Sequence, residues 1–281
     1  MLNNPNQIHM YTAEDGLAYP EKLIPKDANE SNPVLDGLPI KIDVANMEAL
    51  SPDEFTLSRR EGFGGSDSSV LLGVNPYTSL SELIKQKASR ELLPEEKAIK
   101  DNVAVMKGND LEPLIMAKFA KVFQRKVMKP EPMYVFKEYP YLKMNFDGVS
   151  GTKEQYFPVE IKVVTKSGER HYNPSKAMFI ERVGFRPMPD SAFVNTVNSI
   201  VTKAAHYGVP QYYYTQVQQE MMALNAPYGF IATLWESTWT LYCYFIPRDE
   251  TVQNQIIIQG YKAWEQVEAL RQQNGYYGKQ G

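Results

Sequence analysis

Three residues in the middle of the chain, Asp147, Glu160 and Lys162, have the types and the spacing to do phosphate chemistry. Residues 141–148 read as a strand with Leu142, Met144 and Phe146 on one face. Residues 156–164 read as a second strand with Val159, Ile161 and Val163 on one face. Asp147, Glu160 and Lys162 point away from those apolar faces. The polar stretch 151–155 suits a hairpin turn, and pairing of the strands would gather two carboxylates and an ammonium. Close carboxylates repel, so a cation must hold them. Hard oxygen ligands suit Mg²⁺ or Mn²⁺, whose chemistry is to bind a phosphate oxygen and acidify a water. Lys162 would orient that water and stabilise the charged transition state. The ordinary alternative is a solvated ion pair, because Glu-x-Lys on a strand face is common.

The elements that must position these residues are legible from caps and periodicity. Residues 1–50 read as an irregular arm with a short strand at 39–44. Ser51-Pro52-Asp53-Glu54 is a helix start, with Ser51 as cap, Pro52 at the first helical position and Glu54 completing a capping box. That helix carries Arg59 and Arg60 and breaks at Gly62. A glycine loop, 62–67, leads into 68–72, and 79–89 is the next helix. Gly108-Asn109-Asp110 opens another, with Glu112 at its start and Pro113 in its first turn. Its Leu111, Leu114, Ile115, Phe119, Val122 and Phe123 fall at helical spacing. Asp190 caps a helix that buries Phe193, Val197, Ile200, Val201 and Ala204. Residues 212–224 form a helix with Tyr213, Val217, Met221 and Leu224 on one face. Strands at 230–234 and 241–246 precede an amphipathic helix from Asp249 to about Arg271. This order predicts a mixed α/β fold.

Composition narrows the classes. The 281 residues are 43% apolar and 22% charged, enough for one sizeable core and too apolar for bulk disorder. Net charge is −3, so any nucleic-acid surface is local. The single cysteine, Cys243, excludes an internal disulfide and a cysteine-built zinc or iron–sulfur site, and points to a reducing cytoplasm. His171 and His206 are too far apart in sequence to suggest a histidine metal site. No run is long and apolar enough for a membrane span, and no signal peptide is expected.

Several stretches together resemble a known family. Asp147, twelve residues, then Glu160-Ile161-Lys162 is similar to the bipartite motif of PD-(D/E)xK nucleases, with Phe146 where the motif has proline. Arg59-Arg60-Glu61-Gly62-Phe63-Gly64-Gly65-Ser66-Asp67, followed by Leu72-Gly73-Val74-Asn75-Pro76-Tyr77, resembles the opening of YqaJ-type viral recombinases, which are phage lambda exonuclease-like enzymes. Gly108-Asn109-Asp110-Leu111-Glu112-Pro113, Asn145-Phe146-Asp147-Gly148 and Tyr213-Tyr214-Thr215-Gln216-Val217-Gln218 follow in family order.

The resemblance implies a restriction-endonuclease-like core, a central mixed sheet flanked by helices, over an exonuclease domain at 51–281. Asp147, Glu160, the Ile161 carbonyl and Glu112 would hold Mg²⁺, with Mn²⁺ substituting. Lys162 would be the catalytic lysine. Arg59, Ser66 and Gln216 would hold the terminal 5′-phosphate or nearby backbone, where an arginine, a hydroxyl and an amide suit phosphate oxygens. Simpler readings stay open: Ser66 as a helix cap, Glu112 as a first-turn carboxylate and Gln216 as a solvated helix residue. The implied activity is 5′-to-3′ digestion of linear duplex DNA to leave 3′ tails, in a phage or prophage recombination role in the bacterial cytoplasm. Its implied partners are a single-strand annealing protein of the RecT or Bet kind and copies of itself, in a ring. An endonuclease or structure-specific nuclease of the same fold is the first alternative, and a non-catalytic DNA-binding accessory protein the second. Residues 165–209 exceed the expected spacing between the lysine and glutamine motifs, as an insertion would. Lysines and arginines at 166, 170, 176, 182, 186 and 203 outnumber acids at 169, 181 and 190, suiting the edge of a DNA channel or a subunit interface.

Overall fold

The structure, a computed structural model, describes residues 10–12, 18–20, 57–91, 93, 103–123, 126–130, 133–151, 156–182 and 206–277. The sequence-predicted elements at 39–44 and 51–54, and the helix capped by Asp190, lie outside these residues. In chain order the strands are β1 (Met10–Thr12), β2 (Ala18–Pro20), β3 (Tyr134–Val135), β4 (Lys143–Met144), β5 (Gly148–Gly151), β6 (Tyr156–Val164), β7 (Phe179–Arg182), β8 (Tyr228–Trp235) and β9 (Thr240–Pro247). The helices are α1 (Ser68–Leu71), α2 (Leu80–Lys87), α3 (Val103–Val122), α4 (Gln211–Leu224) and α5 (Glu250–Gln273).

Five strands form the central sheet in the order β5-β6-β8-β9-β7. β6 and β8 are parallel, pairing Val159 with Phe230 and Val164 with Trp235, while the other neighbours are antiparallel. The parallel pair needs a long crossover, and its last piece is α4. Val159 is in register with Phe230, which touches Phe119 and Phe123 of the α3 segment. Glu160 and Lys162, one pleat out of phase, therefore face α4. Helices thus cover both faces, and Glu160 has no solvent exposure at all. The solvated ion pair that a two-stranded hairpin would leave is excluded for Glu160 by this second layer.

Two predicted boundaries are corrected. The helix predicted to open at Gly108 runs unbroken from Val103, so Glu112 and Pro113 sit mid-helix. Val103, Val105 and Met106 are exposed, so the added turns carry no apolar stripe to read. Residues 141–148 are not one strand. Lys143–Met144 pairs with Tyr134–Val135, and Gly148–Gly151 pairs with β6, leaving Asp147 in the break. The hairpin of β5 and β6 itself is present. Of the stretch 165–209, the described part forms short turns and then β7, an edge strand of the main sheet on β9.

Candidate active site

Asp147 stands just before β5, and its Oδ2 accepts the Ile161 N–H at 3.0 Å, which ties the break to β6. Lys162 Nζ lies 3.6 Å from the same carboxylate oxygen and forms an ion pair with Glu160. The ammonium also sits 5.2 Å from the centre of the Tyr213 ring on α4. Burial alone would depress Lys162, but Glu160 and Asp147 overcome it and hold the lysine well above its ordinary range. Burial, with Asp147 adding to it, pushes Glu160 up to about 7 against the pull of Lys162.

The layer behind Glu160 was only partly foreseen. Gln216 Nε2 donates to Glu160 Oε1 at 2.6 Å and to Glu220 Oε1 at 3.2 Å. With both amide protons so engaged, Gln216 as oriented positions Glu160, and donation to a phosphate would need its amide to turn. Glu220, one helical turn on, is 1% exposed. Burial first and Glu160 next raise its carboxyl far above the usual carboxylate range. Its i,i+4 spacing from Gln216 was the available signal. No amide, hydroxyl or cationic donor reaches the buried Oε2 of Glu160.

Asp147, Lys162 and Gln216 open into a cleft of about 360 Å³, lined among others by Arg59, Ser66, Asn109, Glu112 and Lys129. Glu112 faces it from the middle of α3, and Lys129 holds its carboxylate at 2.6 Å. Pro113 has no N–H, so the carbonyl of Asn109 at the same wall lacks its helical donor. Lys129 was missed because a charged loop residue carries no periodic signal. Arg59 Nη2 reaches Ser66 Oγ at 3.2 Å across the glycine loop. Arg60 instead is buried, donating to the Glu91 carbonyl at 3.1 Å, so counting back from Ser66 selects the arginine that faces the cleft.

The loop bearing Arg59 and Ser66 is braced from behind. Lys87 of α2 donates to the Arg59 carbonyl at 3.0 Å and pairs with Asp67 at 2.6 Å. Asp67 in turn accepts the Gly64 N–H at 2.8 Å. A Cβ on Gly65 would stand 3.0 Å from Met144 Cε and 3.3 Å from Gln216 Cγ, so the loop approaches α4 closely only without a side chain there. Gln219 ties the same loop to β4 by donating to the carbonyls of Phe63 and Lys143 at 3.1 and 3.0 Å.

Among the described residues no three His, Cys, Asp or Glu side chains form a ready-made metal cage. The donor set still suits a hard divalent cation: Asp147 and Glu160 share one ammonium, the buried Oε2 of Glu160 receives no amide, hydroxyl or cationic donor, and Glu112 lines the facing wall. Cys243 is buried on β9, and no described helix is long and apolar enough to cross a membrane.

Comparison with known proteins gives the family and the fold. Residues 54–226 match the YqaJ-like viral recombinase domain. Over 104 residues the chain is 29% identical to the uncharacterised protein YqaJ of Bacillus subtilis (strain 168), covering 37% of this chain and 31% of that protein. The match therefore spans about a third of that relative's length. Two solved structures of an alkaline exonuclease, LHK-Exo, from Laribacter hongkongensis superpose on it. The complex with dAMP has a TM-score of 0.52 at 15% identity, covering 80% of this chain and 96% of the other. The second gives 0.51 at 14% identity, covering 80% and 99%. At such identities the likeness is one of fold, and the fold is the helix-flanked mixed sheet predicted for a PD-(D/E)xK core.

Proposed function

Because the chain belongs to the YqaJ-like viral recombinase family, we propose that it is a metal-dependent deoxyribonuclease that digests linear duplex DNA from a 5′ end. The observation that carries the reading is one cleft that holds Asp147 and Lys162 beside the Arg59–Ser66 pair, with Glu160 buried directly behind and paired to Lys162. Two close carboxylates with a single lysine make a poor structural brace, since burying charge without full pairing is unfavourable. They make a good seat for a cation.

Asp147, Glu160, the Ile161 carbonyl and Glu112 would hold Mg²⁺ or Mn²⁺. When bound, such an ion supplies positive charge against the scissile phosphate and makes nearby water more acidic. Lys162 orients the attacking water and offsets the negative charge that develops on the phosphate. Gln216 and Glu220 hold the Glu160 carboxylate in place. Arg59 and Ser66 receive the terminal 5′-phosphate by charge-assisted and neutral hydrogen bonds. Glu112 must exchange Lys129 for the cation, which frees an ammonium at the cleft for DNA backbone. Three-prime tails, an annealing-protein partner, a DNA-enclosing ring of subunits and a bacterial cytoplasmic site complete the proposal.

Digestion of linear duplex labelled at one end, with Mg²⁺ and with EDTA, tests it. The expected result is metal-dependent nucleotide release from the 5′-phosphorylated end, lost in Lys162→Ala. Absence of release by the wild type across salt and pH would sink the enzyme reading, and full activity of Lys162→Ala would sink the site. Cutting of covalently closed circles would point to an endonuclease.

A further inference from the structure

Tyr77 is 75% exposed, more than the other exposed large apolar side chains among the described residues. Its position is nevertheless tightly set. The Asn75 side chain accepts the N–H groups of Tyr77 and Thr78 at 2.8 and 3.0 Å, and donates to Ser69 Oγ at 2.8 Å on α1. Pro76 fixes one more backbone angle. The Tyr77 ring meets Tyr212 edge-on, with centroids 5.8 Å apart and planes at 72°. Tyr212 contacts Tyr213 at 4.4 Å, and Tyr213 lies under the Lys162 ammonium at 5.2 Å. An unbroken aromatic path therefore runs from the proposed catalytic lysine to an open ring at the surface.

A lone exposed tyrosine is ordinary. A rigidly presented one, two ring contacts from a phosphodiester site, has the properties of a stacking platform: a fixed π-face, little entropy left to lose, and no preference among bases. Its partner Tyr212 stands one helical turn before Gln216 on α4, and Gln216 lines the cleft.

We infer that Tyr77, braced by Tyr212, stacks on an unpaired nucleobase of the strand being digested. This rests on the nuclease reading above, and it adds what that reading lacks: a surface that favours a frayed end over closed duplex. A base lifted onto Tyr77 places the backbone of its own strand over the cleft. The paired strand would lie away from it.

The test uses 5′-phosphorylated duplexes with 2-aminopurine at the first, second or third nucleotide of the 5′ strand, bound in EDTA so that no turnover occurs. Wild type and Tyr77→Trp are expected to quench the fluorophore at one of the three positions. Tyr77→Leu is expected to lose the quenching and to bind a short 5′ single-stranded end about tenfold more weakly, within the range for stacking one base on an aromatic ring. Its binding to closed duplex stays unchanged. Tyr77→Leu quenching and binding like wild type would overturn the inference, as would wild type binding with no quenching at any position. Repeating the series with Mg²⁺ separates the two readings. Quenching without nucleotide release leaves the platform standing and removes the nuclease, whereas release unaffected by Tyr77→Leu does the reverse.

Discussion

Replacing Lys87 by methionine probes the brace behind the proposed phosphate pocket. Methionine keeps most of the volume of the lysine stem and removes only the ammonium. That ammonium is paired with Asp67 at 2.6 Å, with side chains 6% and 15% exposed, and also donates to the Arg59 carbonyl at 3.0 Å. Removing one partner of a buried pair costs roughly 3–5 kcal/mol, because the other charge is left uncompensated. Asp67 keeps the Gly64 N–H and some solvent, and burial already holds Lys87 below its ordinary lysine range. The loss should therefore sit at the lower end, about 3 kcal/mol. Urea unfolding of wild type, Lys87→Met, Asp67→Asn and the double variant measures it. The double variant should lose less than the sum of the single losses, with coupling of about 2 kcal/mol. A cost for Lys87→Met below about 1 kcal/mol, or strict additivity, would refute the reasoning. In a digestion assay the same variant should lose rate on 5′-phosphorylated ends more than on 5′-hydroxyl ends, since Arg59 and Gly64 are what it loosens.

Burial lowers Lys143 to about 8, with Glu61 holding it up and Lys87 and Arg271 pressing it down. Above that pH the folded chain releases a proton that the unfolded chain keeps until about pH 10.4. Wild type should therefore gain stability over Lys143→Met between about pH 8 and 10, by up to about 3 kcal/mol. A flat or falling difference in urea midpoints would contradict this. Gln219→Leu removes two buried donations and leaves the Lys143 carbonyl without that donor; about 2 kcal/mol should be lost in urea unfolding, and an unchanged midpoint would show that the tie between the glycine loop and β4 is dispensable. Lys162→Met leaves Asp147 and Glu160 without their cation, so its melting temperature in EDTA should fall and Mn²⁺ should raise it more than it raises that of wild type. An equal or smaller rise would argue that the two carboxylates do not receive the ion.

Local pattern was enough for the chemistry-bearing residue types, for the hairpin of β5 and β6, for β8 and β9, and for α4 and α5. In each the side-chain period or a cap is written within a few positions, as with Asp249, whose side chain accepts the Val252 N–H at the start of α5. Where period and cap were silent, the reading missed. The exposed first turns of α3 carry no stripe, and Asp147 interrupts a stretch whose alternation continues smoothly through it. What only the tertiary structure decided are the contacts between distant segments: Gln216 on Glu160, Lys129 on Glu112, Lys87 behind Arg59, and Arg271 paired with Glu61 from the far end of the chain. Spacing reports which face of its own element a residue occupies, but not which element packs on that face. Glu160 shows the difference. Its alternation placed it opposite Val159 and Ile161, on the side a lone hairpin would give to water. The covering of that side by α4 turned it into a buried carboxylate beside Lys162 and Glu220.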